Sequence, residues 1–217
     1  MTFVAKKSLG QNFLNDNKVI KIIADLGKID RDDFILEVGA GTGNLTEIIL
    51  EQSPKKLYVI EKDQRLASYL NEKFGDKINI FNEDMMKFEY ERYYKDKLII
   101  FGNLPYNIST QILAKWIRVK NLDSFCKKFI LMFQKEVADR IIAETNTKNY
   151  GRLSILSNWK MKITKIIDID PGSFKPAPKV KSTLLFFTPK KSYYKLKDMK
   201  NLEHVTNIFF SQRRKMI

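Results

Sequence analysis

Short apolar runs alternate with helical patterns through the first half of the chain. Four runs of strand length are apolar through their middles, as is typical of strands covered on both faces. These runs are residues 34–41, 57–63, 78–84 and 98–103. Between them, residues 44–52 and 64–74 repeat apolar side chains three and four positions apart, which predicts helices. The alternation indicates crossover connections and therefore an α/β fold with a doubly wound parallel sheet.

The second half of the chain predicts a different end to the sheet. Apolar runs continue at residues 129–133, 163–169 and 182–187. The last two are joined by a loop rich in Pro and Gly rather than by a helix, so we expect an antiparallel pair at the end of a mostly parallel, seven-stranded sheet. From Thr188 the chain becomes a basic linker that leads into a helical pattern. We therefore predict a main domain over 1–188 and a C-terminal unit over 189–217.

Glycine residues follow the first predicted strand, at the edge of the sheet where parallel sheets bind ligands. Gly39, Gly41 and Gly43 allow a tight turn and a close approach of a ligand to the backbone and to the free N–H groups of the next helix. The dinucleotide-binding fingerprint requires its third glycine at position 44, which is Asn44. This spacing weakens the interpretation as a dehydrogenase without excluding it.

Acidic residues follow the second and third predicted strands. Glu61 comes twenty-two residues after Gly39, where a carboxylate can accept both hydroxyls of a ribose. Asp84 is suited to accept a hydrogen bond from an adenine amino group. Each acid taken alone is equally consistent with a surface carboxylate at a strand end. Three strand ends in register nevertheless predict a pocket for an adenosine-bearing ligand.

The segment "FGNLPYNIST" at residues 101–110 follows the fourth predicted strand. A plain connector needs only one or two turn residues. This segment instead places the amide of Asn103, the ring of Pro105 and the aromatic ring of Tyr106 side by side. The combination predicts a site that holds a flat polar ligand.

The composition favours a polyanionic partner. Lys and Arg number 39 against 25 acidic residues, for a formal net charge of +14, and such an excess binds phosphates with release of counterions. An AT-rich genome, in which Lys codons are frequent, explains part of this excess of basic residues equally well. The single cysteine, Cys126, excludes an intrachain disulfide and favours a reducing compartment. No signal peptide or run of ~20 apolar residues is present, so we expect a cytoplasmic protein with no membrane partner.

Seven motifs in order carry a family resemblance. They read "SLGQNFLND", "EVGAGTGNLT", "FGNLPYNIST", "QKEVADRI", "YGRLSIL", "FKPAPKVKS" and "FFSQRRK". Over residues 6–215 the chain resembles the ribosomal RNA small-subunit adenine N6-dimethyltransferases of the KsgA type. The resemblance implies a Rossmann-like class I methyltransferase fold and S-adenosylmethionine as the methyl donor. It also implies a monomer that acts on two adjacent adenines near the 3′ end of 16S rRNA in the small (30S) ribosomal subunit.

The resemblance assigns a set of donor-binding residues, and Gln11 among them is expected against either the donor or the target base. The set is Gln11, Asn12, Leu14, Gly39, Gly41, Glu61, Asp84 and Asn103.

The same resemblance assigns the chemistry to residues 103–106. The side-chain oxygen of Asn103 and the carbonyl of Leu104 are expected to accept hydrogen bonds from the target amine, and Pro105 fixes the backbone that carries them. Tyr106 provides a ring on which an extruded base stacks, with Phe174 expected on its second face. For Phe174 the alternative is a hydrophobic plug beside a sheet edge. The donor carries its own activation, so we expect no catalytic His or Cys and no metal.

Basic residues in three of these motifs are expected to contact RNA phosphate. They are Lys135, Arg140, Lys179, Arg213 and Arg214. The alternative is that they are ordinary solvated charges.

The family pattern continues past "QRRK" into a small helical domain, whereas this chain ends at Ile217. The resemblance therefore implies a shortened C-terminal domain with an intact donor pocket. Two other functions share the pattern. One is methylation of large-subunit (23S) rRNA, as by the erythromycin-resistance enzymes, although Leu104 favours the small-subunit class. The other is a non-catalytic RNA-binding factor for ribosome assembly, although the intact residues 103–106 argue against it.

Overall fold

The structure of the protein, a computed structural model, describes residues 3–89 and 97–211. Its strands are β1 (Phe13–Leu14), β2 (Phe34–Val38), β3 (Lys56–Ile60), β4 (Asn79–Phe81), β5 (Leu98–Gly102), β6 (Cys126–Gln134), β7 (Met161–Ile169), β8 (Phe174–Lys175) and β9 (Ser182–Pro189). Its α-helices are α1 (Asn17–Leu26), α2 (Asn44–Glu51), α3 (Gln64–Phe74), α4 (Ser109–Ile117), α5 (Leu122–Phe125), α6 (Lys135–Ile141), α7 (Arg152–Lys160) and α8 (Met199–Ser211).

Seven of the nine described strands form one large sheet, in the order β4-β3-β2-β5-β6-β9-β7. The five strands from β4 to β6 are parallel, and β9 runs antiparallel to both β6 and β7. This topology confirms the predicted α/β fold and the antiparallel pair at the end of a mostly parallel sheet. The reversed strand itself, β9, lies one position in from the edge, and β7 lies outside it.

Helices cover both faces of the sheet around its central strands, which explains why β2, β3, β5 and β6 are largely apolar. In β5, Ile100 packs into the cluster that contains Trp116 of α4, whereas Ile99 and Phe101 pack into the cluster that contains Ile20 of α1. Successive side chains of a strand point to opposite faces, and both faces are buried here. Because both faces are buried, polar side chains are found mainly where these strands end.

A second, two-stranded ribbon lies outside the large sheet. Strand β1 pairs with β8 in antiparallel register, with Leu14 opposite Phe174. The pairing is extended by Asn15, whose main-chain N–H donates to the carbonyl of Ser173 over 2.9 Å. This ribbon holds the N-terminal segment against the segment before β9.

Helix α8 packs against α7, and it also contacts the residues just before α7 and just after α4. The rings of Tyr150 and Phe210 meet edge to face with centroids 6.1 Å apart, and Arg118 forms an ion pair with Glu203. An apolar stripe at Val205, Ile208 and Phe209 is about half exposed on the other side of the helix. Across the described ranges, no helix is long and apolar enough to cross a membrane.

Candidate functional site

A cavity of about 160 Å³ opens at the carboxyl ends of β2, β3 and β5. The donor-binding and catalytic residues assigned from the sequence all line it. They are Gln11, Asn12, Leu14, Gly39, Gly41, Glu61, Asp84, Asn103, Leu104, Pro105 and Tyr106. The N-terminal segment thus joins three strand ends that lie far from it in sequence.

The glycine loop approaches the backbone of Asn103. Gly39 has a φ of 75°, and a β-carbon added there would lie 3.1 Å from the main-chain oxygen of Asn103. The Gly39 N–H donates to the carbonyl of Ile60 over 2.9 Å. A side chain at position 39 would therefore strain the backbone and push residue 103 out of place.

Glu61 is oriented by two backbone N–H groups. One carboxylate oxygen accepts from Gly41 over 3.1 Å and the other from Asp63 over 2.9 Å. Glu61 is 7% exposed, and this burial raises its pKa against the opposing effect of those hydrogen bonds. Each carboxylate oxygen keeps a second lone pair, so the group can still accept hydrogen bonds from a ribose.

Asp84 is held at the mouth of the cavity. It accepts from Lys62 Nζ over 2.8 Å and from the Met86 N–H over 2.9 Å, and the Lys62 ammonium lowers its pKa. Lys115 of α4 fixes the segment that follows, because its Nζ donates to the carbonyls of Met85, Met86 and Phe88. The sequence analysis missed this role of Lys115.

The amide of Asn103 has a defined orientation. Its Nδ2 donates to the main-chain carbonyl of Asn12 over 3.1 Å. A carbonyl can only accept, so the nitrogen must face Asn12 and Oδ1 lies on the other arm of the amide. Among the described residues, neither this Oδ1 nor the Leu104 carbonyl accepts a hydrogen bond. Two adjacent acceptors therefore remain available in the wall of the cavity.

Leu104 and Tyr106 lie in different surroundings. The Leu104 side chain is 1% exposed and packs in the core, so only its backbone is suited to polar contacts. Tyr106 is half-buried at the cavity, and its hydroxyl forms a hydrogen bond with Ser182, a residue that the sequence analysis did not single out.

Asp63, which the sequence analysis also missed, holds the N-terminal segment to the start of α3. Its buried carboxylate accepts from Lys6, Gln11 and Arg65, and these donors, Arg65 above all, lower its pKa. Gln11 is bonded at both ends of its amide, since its Oε1 also accepts from the Lys6 N–H over 2.7 Å. Contact of Gln11 with the donor or the base stays a prediction, and in this structure the side chain braces the segment.

Glu37 at the end of β2 is a further buried acid of the cavity. It is 2% exposed and accepts from Thr46 Oγ1 over 2.7 Å. Burial raises its pKa to about 7. The sequence signal for Glu37 is an acid at the end of an apolar strand, two residues before Gly39.

Phe174 does not line the cavity. It is 5% exposed and packs in the apolar cluster beside its strand partner Leu14. This position agrees with the alternative interpretation of Phe174 as a hydrophobic plug beside a sheet edge. Stacking of Phe174 on a base remains a prediction, and it requires a change in the packing seen here.

The basic residues assigned to RNA fall into separate groups. Lys135 is paired with Asp139 at 3.2 Å and with Asp168 at 3.6 Å, and Lys179 is exposed. Arg213 and Arg214 lie outside the described residues.

Within the described ranges, no three His, Cys, Asp or Glu side chains are grouped to hold a metal ion.

Arg140 lines a second cleft, of about 460 Å³, between the α6–α7 connection and α8. Lys148, Tyr150, Arg152 and Phe210 line it with Arg140. Arg152 donates to Asn207 of α8 over 2.9 Å. Three cationic side chains next to two aromatic rings form a surface that is suited to phosphate contacts and to stacking.

Three comparisons with known proteins agree. A family model described as "Ribosomal RNA adenine dimethylase" matches residues 2–217. A relative from Pelagibacter ubique, named ribosomal RNA small subunit methyltransferase A, is 57% identical over 213 residues, which are 98% of this chain and 81% of the relative. A relative of the same name from Agrobacterium fabrum is 39% identical over 98% of this chain and 79% of its own length.

Two solved structures are similar to this chain in fold and sequence. A dimethyladenosine transferase from Plasmodium falciparum has a TM-score of 0.83 and 32% identity, over 94% of this chain and 73% of that one. The 23S rRNA methyltransferase ErmE has a TM-score of 0.72 and 25% identity, over 93% of this chain and 80% of that one.

Proposed function

Since the chain belongs to the ribosomal RNA adenine dimethylase family, we propose that it transfers methyl groups from S-adenosylmethionine to N6 of two adjacent adenines near the 3′ end of 16S rRNA. The relatives named ribosomal RNA small subunit methyltransferase A support the small subunit as the source of this RNA. We also propose that it acts in the cytoplasm as a monomer on the 30S particle.

The observation that carries the proposal is the pair of acceptors at residues 103 and 104. Adenine N6 is a poor nucleophile because its lone pair is delocalised into the ring. Oδ1 of Asn103 and the carbonyl of Leu104 together accept both N6 hydrogens, which favours a tetrahedral nitrogen with its lone pair directed at the methyl group. Pro105 limits the backbone freedom of this pair. Catalysis on this account is mainly orientation.

The residues around the cavity suit a donor with an adenosine and an amino-acid part. Glu61 accepts hydrogen bonds from the ribose hydroxyls, and Asp84 accepts one from the adenine amino group. The loop at Gly39 and Gly41 allows the donor to approach the backbone closely. S-adenosylmethionine, when bound, supplies a methyl group on a sulfonium, which needs no further activation. Buried carboxylates beside the cavity favour a positively charged ligand.

Arg140, Lys148 and Arg152 are proposed to bind rRNA, with Tyr150 as a stacking surface for an unpaired base. Helix α6 begins where β6 ends, at the same sheet edge as residue 103, so an RNA strand in the second cleft is on the side of the molecule where the target base must enter. Lys135, Lys179, Arg213 and Arg214 are proposed as further phosphate contacts.

Residues 189–217 are proposed as a linker and the first helix of a C-terminal helical unit. The half-exposed stripe at Val205, Ile208 and Phe209 supports this proposal, because such a stripe is suited to pack against further helices.

The test is methyl transfer from labelled donor to 30S particles that lack the modification, with 50S particles and free 23S rRNA in parallel. Nuclease digestion and mass analysis then identify the product. We expect dimethyladenosine in 16S rRNA alone. Dimethyladenosine only in 23S rRNA would establish the activity named for ErmE, and RNA binding without any transfer would establish a non-catalytic factor.

A further inference from the structure

Tyr106 forms hydrogen bonds through both its main chain and its side-chain hydroxyl. Its main-chain carbonyl accepts a hydrogen bond from Ser109 Oγ over 3.2 Å at the start of α4. Its hydroxyl lies 2.5 Å from Ser182 Oγ, 76 residues further along the chain. The two contacts come from different elements, so together they fix the direction in which the side chain points and the position of the ring.

Ser182 provides a rigid attachment. It is fully buried, as the first residue of β9, and the backbone there is paired on both sides, with Gln134 of β6 and Ile169 of β7. A hydroxyl on a strand held by two neighbours has little freedom beyond rotation of its own O–H bond. Its position is therefore set by the large sheet rather than by the loop that precedes β9.

The Tyr106 hydroxyl is suited to this contact at physiological pH. Burial raises the pKa of the phenol, so the group remains a neutral hydroxyl that can donate or accept. Either oxygen of the pair can supply the hydrogen.

We propose that Ser182 is a positioning residue for the target adenine. It fixes the Tyr106 ring before the base arrives, so that a base stacked on the ring presents N6 to Asn103 without further ordering of the platform. The inference rests on the proposed function and on the stacking role of Tyr106 within it. Preorganised contacts of this kind avoid an entropic cost at binding, and small misplacement of a reacting group slows transfer strongly.

The hydrogen bond is tested by a double-mutant cycle with Ser182→Ala, Tyr106→Phe and the double variant. Both single changes remove the same hydrogen bond and keep the aromatic ring. We expect each to lower kcat for methyl transfer to 30S particles by about 5- to 10-fold, the range for one net hydrogen bond, with little change in KM for the particle or in donor affinity. The double variant should be no slower than the slower single variant, because the bond can be lost only once.

Thr183→Val is the matched control. Thr183 is also fully buried in β9, but it points to the opposite face, where its hydroxyl donates to Asp168 over 2.7 Å. Its loss should lower stability without lowering kcat. Ser182→Thr, which keeps the hydroxyl, should recover part of the kcat lost in Ser182→Ala.

Two results overturn the inference while leaving the proposed function intact. One is a wild-type kcat in Tyr106→Phe, which is decisive even where Ser182→Ala fails to fold. The other is a double variant whose fold-loss of kcat equals the product of the fold-losses in the two single variants, because independent effects multiply in this way. If the unaltered protein itself transfers no methyl group to 30S particles, the proposed function fails, and the inference fails with it.

Discussion

Gly39 shows how a single residue shapes the site. The backbone at this position has a positive φ, and the space beside it is filled by the carbonyl of Asn103. The sequence pattern predicted a tight turn with close approach to a ligand. The structure adds a close approach to the backbone of Asn103, which no local pattern could indicate, because residues 39 and 103 meet only through the pairing of β2 with β5.

Replacing Gly39 with Ala should damage both folding and activity. A positive φ costs a residue with a side chain about 1–2 kcal/mol, and the added methyl group would displace Asn103. Gly75→Ala is the control, because Gly75 also has a positive φ but has open space around it. Denaturant unfolding should show a loss of stability for both variants, while methyl transfer should fall only in Gly39→Ala. Equal activity of the two variants would contradict the proposed link to Asn103.

Glu37 should make stability depend on pH. Its pKa rises from an ordinary value of 4.5 to about 7 on folding, so the folded state holds a proton that the unfolded chain releases. The contribution of Glu37 to stability is therefore fully present below pH 4.5, falls as the pH rises towards 7, and stays lost above that.

Glu37→Gln, which keeps an acceptor for Thr46 and carries no charge, should remove this decline. Above pH 7 we expect it to be more stable than the unaltered protein by about 1–3 kcal/mol, and near pH 4 to be equal to it. Chemical unfolding from pH 4 to 8 measures the difference. Glu51→Gln, at the exposed end of α2, is the control for a loss of negative charge. An unchanged pH profile in Glu37→Gln would show that Glu37 ionises normally.

At the scale of elements, the N-terminal segment is held to the fold by side chains rather than by a long strand. Strand β1 has only two residues, and the sequence analysis did not predict its ribbon with β8. Two-residue strands give no usable alternation of polar and apolar positions, and their partners lie far apart in sequence. The long strands were predicted well for the opposite reason, because burial on both faces leaves a clear apolar run.

Asp63 should control the order of this segment. Asp63→Ala removes the acceptor shared by Lys6, Gln11 and Arg65. We expect faster tryptic cleavage at Lys6 and Lys7, and donor binding weakened several-fold by calorimetry, because the segment that carries Asn12 and Leu14 loses its anchor. Asp76→Ala, at an exposed position beyond the other end of α3, should leave both unchanged. Unaltered cleavage in Asp63→Ala would show that the ribbon alone holds the segment.

The position of Phe174 marks a limit of prediction at this scale. The motif located Phe174 in the connection that leads to β9, but could not tell a ring that faces the cavity from one that packs beneath it. That choice depends on the pairing of β8 with β1, which sets the side to which the ring points. Similarly, the contacts of Ser182 and Lys115 depend on distances between elements, and the sequence carries no signal for them.

At the scale of the whole molecule, the net charge of +14 is partly neutralised locally. Lys135, for example, lies between two carboxylates, whereas Arg140 and Arg152 form no ion pair with the residues that the structure describes. The charge expected to act on RNA is therefore concentrated at particular surfaces. Composition alone could indicate the partner class but not the surface.

The double variant Arg140→Ala, Arg152→Ala should bind rRNA more weakly and with less dependence on salt. Removing two phosphate contacts should reduce the slope of log K against log salt by about 1–2. Filter binding to 16S rRNA fragments at several salt concentrations measures this slope. Lys77→Ala with Lys55→Ala is the control, because both lie at the amino edge of the sheet, before β4 and β3. Equal slopes for the two double variants would contradict binding in the second cleft.

The central claim is that Asn103 orients the amine of the target adenine. It is tested by the single-turnover rate of methyl transfer to 30S particles with donor already bound, in the unaltered protein and in Asn103→Ala. The account predicts a rate loss of at least about 100-fold, as for other groups that act by orientation and charge stabilisation, with donor affinity reduced no more than several-fold. An Asn103→Ala protein that transfers methyl groups at the unaltered rate would contradict the account.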